Sequence, residues 1–150
     1  MNFLEMEPTA EQAQSKTRRL IFAAVALLAA IIVLAWYVFR FTPEKHAVER
    51  FFDALVAGDT AHAYELWKPA ASYKMEDFLA DWGPKGYYGP VKSYRIESAS
   101  SRAGASGVDI VVEVSPFAPF PVPEDVEKSR RTRRVRLWVE SKDKSLSFPP

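Results

Sequence analysis

Residues 20–39, LIFAAVALLAAIIVLAWYVF, hold no charged side chain. As a helix rising about 1.5 Å per residue, this run spans about 30 Å, the depth of a bilayer's hydrocarbon core. It is apolar on every face, whereas a helix on the surface of a soluble core keeps a polar stripe. Lys16, Arg18 and Arg19 precede the run and Arg40 follows it. Trp36 and Tyr37 lie near its far end, where amphipathic rings settle at a membrane interface. A cleaved signal peptide has a shorter apolar region and small residues before the cut, but this run ends in Trp-Tyr-Val-Phe-Arg. The sequence therefore predicts an uncleaved transmembrane helix over 20–40, with Arg18, Arg19, Trp36, Tyr37 and Arg40 at the membrane interfaces.

Orientation follows from the basic residues. Three of them crowd into positions 16–19, while Arg40, Lys45 and Arg50 are spread out. The positive-inside bias predicts a cytoplasmic tail, residues 1–19, and an exoplasmic domain, residues 41–150. In a bacterium this means a single-pass protein of the inner membrane with a periplasmic domain. The span carries no His, Asp, Glu, Lys, Arg, Asn or Gln, so it offers neither a proton relay nor an axial imidazole. Its six alanines between 23 and 35 give small-residue surfaces on which helices of other membrane subunits could pack.

The 150 residues contain no cysteine and only two histidines. Disulfides, thiolate metal sites, iron–sulfur clusters and cysteine nucleophiles are thereby excluded. A net charge of +1 argues against a nucleic-acid binder. No phosphate loop, nucleophile elbow or metal-ligand spacing is present.

After the span, Pro43 suits the first turn of a helix capped by Thr42. Ala47, Val48, Phe51, Phe52, Leu55 and Val56 follow the helical repeat, and Gly58 is a natural stop. Asp59 or Thr60 caps a second helix that ends before Pro69, and a third begins near Ser72 or Tyr73 and stops at Gly83-Pro84. The period then changes to two. Strands are expected over 91–98, 108–115 and 132–140, with a short last strand over 146–148. Pro116, Pro119, Pro121 and Pro123 impose an extended loop between the second and third. The predicted class is α+β: one transmembrane helix, then three helices packed on a curled antiparallel sheet.

The stretch VERFFDALVAGDTAHAYELW, followed by MEDFLADWG, resembles the opening of the superfamily that contains nuclear transport factor two and ketosteroid isomerase, as in membrane-anchored bacterial proteins of this type. The resemblance covers about residues 43–148. It implies a cone-shaped α+β domain. It implies no particular activity, because this fold hosts enzymes, binding modules and scaffolds alike.

An enzyme resembling ketosteroid isomerase would need a carboxylate base and acidic donors inside the cone. Asp109, Glu113, Tyr87, Tyr88 and Tyr94 are the available types, and a dehydratase-like pair would draw on His46 or His62. Asp109 and Glu113 alternate with the apolar face of their strand and read as solvated; the histidines read as surface or capping residues. No catalytic residue and no cofactor are expected, and the chain is read as a non-enzyme.

Two stretches point to partners instead. KSRRTRRVR holds six basic residues, including Arg130, Arg131, Arg134 and Arg136, and Trp138 follows. Period two puts Arg134, Arg136 and Trp138 on one strand face. This run suits an acidic soluble protein or anionic lipid headgroups, or else a charged edge that blocks sheet pairing. In SPFAPFPVPEDV, four prolines stiffen a loop from which Phe117 and Phe120 either project or fold back onto the core. The reading favoured by these features is an accessory or docking subunit of a larger membrane complex, such as a respiratory or photosynthetic one. The alternative is a cell-envelope module holding a small apolar ligand in the cone.

Overall fold

The computed structural model describes residues 10–150 and divides into two units, a single helix up to Arg40 and a folded unit over 41–150. Helix α1 spans Ala10–Phe39, and none of its side chains is buried. It is long and apolar enough to cross a membrane. It begins ten residues before the apolar run. Residues 10–19 contain neither Gly nor Pro and are mostly strong helix formers, so extending an existing helix through them costs little. The expected tail is thus helical from Ala10 onward; its first nine residues lie outside those described.

The folded unit is α+β. Helices α2 (Thr42–Val56), α3 (Thr60–Trp67) and α4 (Met75–Trp82) come first. A four-stranded open antiparallel sheet follows, in the order β1 (Ser93–Ser100), β2 (Gly107–Ser115), β3 (Arg133–Glu140), β4 (Leu146–Ser147). A one-turn helix, α5 (Val126–Ser129), interrupts the loop between β2 and β3. Period-two reading of the sequence missed this turn. Asp125 caps it, its carboxylate accepting from the Lys128 N–H at 3.2 Å.

Two helix starts differ from expectation. Thr42 is the first residue of α2 rather than its cap; Phe41 occupies the cap position without a side-chain bond. Helix α4 starts at Met75, because Asp77 reaches back to accept the Lys74 N–H at 3.0 Å, while residues 70–73 close a separate turn through Tyr73 N–H to Ala70 O. Asp59 caps α3 as its sequence suggests, accepting from the His62 N–H at 3.1 Å. Strand β1 runs two residues later than expected. It carries a bulge between Ile96 and Ser98, so Glu97 is an extra residue opposite β2.

Strand alternation builds the core. Val108, Ile110, Val112 and Val114 of β2 and Val135, Leu137 and Val139 of β3 all face the helices and are buried. Against them the helices set an aromatic cluster centred on Phe51. Its ring lies 5.1 Å from Phe52, 5.2 Å from Trp67, 5.2 Å from Trp82 and 6.1 Å from Phe78. Trp82 in turn stacks on Tyr88 at 4.8 Å and lies nearly parallel to Phe148 at 5.9 Å. Edge-to-face and offset pairs of this kind add about 0.5–1.5 kcal/mol each beyond the area they bury. Rings therefore fill the space between helices and sheet.

Candidate functional site: a divided basic run

The basic run spans the end of α5, a turn and the first half of β3, and alternation splits it between two faces. Positions 134, 136 and 138 point away from the helices, whereas 133 has the parity of buried Val135 and Leu137. On the outer face the cations meet carboxylates. Arg95 donates to Glu113 at 2.6 Å. Arg134 binds Glu97 at 2.8 Å and lies 4.0 Å from Glu113. Arg136 pairs with Asp109. Three arginines and three carboxylates thus cancel on this surface. The hydrogen bond and charge of Arg134 hold the Glu97 carboxyl below its usual range, and Glu97 raises Arg134 in return.

Trp138, half-buried on the same face, donates its indole N–H to Glu140 at 3.3 Å. It joins Asp109, Arg136, Pro149 and Pro150 around a shallow recess of about 290 Å³.

Arg130, Arg131 and Arg133 are placed differently. All three line a recess of about 400 Å³, together with Tyr88, Gly89, Pro90, Val114 and Pro116. No carboxylate lines it. Arg133 sits where the helical layer ends, its guanidinium 4.5 Å over the Tyr87 ring. The Gly89 backbone passes so close to the Gly83 carbonyl that a Cβ would collide with it, and this fixes the wall carrying Tyr88 and Pro90.

The proline loop lies back on the domain. Pro121 is buried, and Phe117 and Phe120 are half-buried. Phe117 lies under Arg131 at 5.1 Å and Lys128 at 5.8 Å; Phe120 lies under Arg95 at 4.8 Å. Ser93 Oγ–H donates to the Phe117 carbonyl at 2.6 Å and ties the loop to β1.

The groups weighed for acid–base chemistry do not converge. Asp109 and Glu113 are ion-paired on the outer face. Tyr94 faces the helices, stacks on Phe52 at 5.1 Å and donates to Asp53 at 2.7 Å. Burial, then the bond to Asp53, push the Tyr94 hydroxyl well above its usual pKa. Burial also raises Tyr88, against the lowering pull of Arg133. His46 is exposed and bonds Glu49 at 2.7 Å, and His62 lies 3.9 Å from Glu65, each one helical turn away. Among the described residues no cluster of three His, Asp or Glu side chains could hold a metal ion.

Of the expected membrane-interface residues, Arg40, just after α1, lies over both aromatic rings, 5.9 Å from Trp36 and 4.5 Å from Tyr37. Arg18 and Arg19 are exposed near the other end. Sequence reasoning did not single out Arg133, Tyr88 or the Gly89–Pro90 wall as one site. The signal for Arg133 was present: if Arg134 and Arg136 share a face, Arg133 lies on the other.

Comparison with protein families, with curated proteins and with solved structures finds no match to this chain.

Proposed function

We propose that this chain is a non-catalytic, single-span membrane protein whose folded unit docks on, or stabilises, a larger membrane complex. The observation that carries the reading is helix α1. It exposes a twenty-residue run without a charge and buries none of it within the chain. Such a surface needs lipid or other apolar helices around it. The flanking charges favour a cytoplasmic N-terminus and a periplasmic domain in the bacterial inner membrane. The folded unit adds support. Its interior is occupied by Phe51, Phe52, Trp67, Phe78 and Trp82, which favours docking over a ligand held between helices and sheet. Its candidate acid–base groups are dispersed, which favours a non-enzyme. A respiratory or photosynthetic complex is a host in keeping with an apolar run that offers no axial imidazole and no carboxylate relay of its own. The resemblance to the nuclear transport factor two and ketosteroid isomerase superfamily fits the α+β plan and stays part of this proposal.

The test is extraction of the tagged full-length chain in mild detergent, a native gel and mass spectrometry of co-migrating proteins. Migration in one large complex at fixed stoichiometry is the expected result. Migration alone, as monomer or homodimer, overturns the subunit reading.

A further inference from the structure

The division of the basic run leaves three cations unspent. Arg134 and Arg136 are neutralised on the outer face. The guanidinium groups of Arg130, Arg131 and Arg133 pair with no carboxylate and donate to no protein acceptor among the described residues. Each guanidinium carries five N–H donors, and all three line the same recess. Like charges gathered around one recess repel each other unless an anion sits among them.

Two of the three are held in place without a ligand. Arg131 stacks on Phe117 at 5.1 Å and Arg133 on Tyr87 at 4.5 Å. A guanidinium over a ring is attracted through its charge and spends none of its N–H donors on a protein acceptor, so they stay available to an anion. The rotamer entropy of ordering those side chains is thus already partly spent, which favours binding. The shape of the anion follows from the donors. A carboxylate offers two oxygens and one charge, enough for a single fork. A phosphomonoester offers three terminal oxygens and up to two charges, enough to engage several forks at once, whereas a phosphodiester offers two oxygens and one charge, as a carboxylate does. At about 400 Å³ the recess also falls within the usual range for small-molecule sites, with Tyr88, Pro90 and Pro116 available to an organic substituent.

We infer that the recess lined by Arg130, Arg131 and Arg133 binds a phosphomonoester group, carried by a soluble small molecule or by a lipid headgroup. The inference stands on the folded unit and does not depend on the subunit reading.

The test uses full-length protein in non-ionic detergent, titrated calorimetrically with inorganic phosphate and with glycerol 3-phosphate. The same protein in nanodiscs compares phosphatidic acid with phosphatidylcholine. The variant is R130Q/R131Q/R133Q, and R136Q removes a cation of the outer face as a control. Saturable binding at one site, weakened at least about tenfold in the triple variant and little changed in R136Q, is the expected result. Glycerol 3-phosphate binding without lipid preference assigns the site to a soluble phosphoester; an arginine-dependent preference for phosphatidic acid assigns it to a headgroup. If the triple variant loses its near-UV circular dichroism, R130Q replaces it, since the Arg130 guanidinium holds no hydrogen bond or ion pair among the described residues, and a weakening of about threefold is expected. No saturable binding of either phosphate probe and no lipid preference overturns the inference. So does equal weakening in R136Q, or arginine-dependent capture of an acidic protein without phosphate binding.

Discussion

Arg134 reaches over β2 to Glu97, Nε to Oε2 at 2.8 Å, although β1 and β3 share no backbone ladder. The bulge makes this possible. Glu97 is the unpaired extra residue of β1, displaced from the regular register that joins Ile96 to Val112 and Ser98 to Val111. A single inserted residue thereby links two strands that are not neighbours and removes a cation from the basic run.

Glu97→Gln tests this link through pH. The carboxyl is held below its ordinary value of 4.5, chiefly by the Arg134 hydrogen bond. A depressed carboxyl contributes stability above its unfolded-state pKa and loses it as pH falls through the folded-state value. Wild type is therefore expected to melt slightly higher than E97Q at neutral pH. The gap closes as pH falls below about 4.5, and added salt narrows it at any pH. Thermal melts followed by near-UV circular dichroism between neutral pH and pH 3 check both trends.

Glu44 and Lys144 form the most buried ion pair. Glu44 is 6% exposed in the first turn of α2, and Lys144 Nζ lies 3.0 Å from its Oε1, from the turn between β3 and β4. The other carboxylate oxygen has no partner. Lys144→Met strands a buried carboxylate and is expected to cost about 2–3 kcal/mol, at the low end for breaking such pairs because the lysine keeps some access to water. Glu44→Gln in the K144M background is expected to recover part of that loss. Denaturant melts of wild type, single and double variants measure it; full additivity would contradict the coupling.

Tyr73 and Tyr94 tie the stability of the folded unit to alkaline pH. Both hydroxyls titrate well above the usual 10.0, first through burial, then through bonds to Asp81 and Asp53. A raised folded-state pKa gives stability that is full below about pH 10 and declines as pH rises, because the unfolded chain ionises first. Ultraviolet difference titration is expected to show two tyrosines that ionise only with unfolding. Tyr94→Phe removes the bond to Asp53, with an expected cost of about 1 kcal/mol, and leaves one late tyrosine.

Gly89→Ala addresses the wall of the arginine recess. The added Cβ meets the Gly83 carbonyl, backbone that no rotamer change can move. An overpacking cost of about 1–3 kcal/mol is expected, with the turn carrying Tyr88 and Pro90 displaced. Phosphate binding should weaken in this variant although every arginine remains, readable by the same calorimetry.

Local patterns determined much of this protein before any packing was considered. The uncharged run 20–39 announces a helix that no small core could bury. Asp59 caps α3, Gly58 ends the preceding turn with φ +77°, and the alternation of Val108, Ile110, Val112 and Val114 marks a half-buried strand. These features depend on residues within a few positions of each other, so sequence periodicity and capping chemistry carry them. What alternation could not tell was where the charges go. The pairing of Arg136 with Asp109, and of Arg134 with Glu97, depends on the register between strands 27 and 37 residues apart in the chain. It depends also on a one-residue bulge with no mark in the composition of β1. The gathering of Arg130, Arg131 and Arg133 against Tyr88 and Pro90 likewise joins segments that only the folded sheet and its covering turn bring together. Coulomb energy falls with distance in space and ignores separation along the chain, so whether an arginine is neutralised or left to bind an anion is decided by tertiary structure alone.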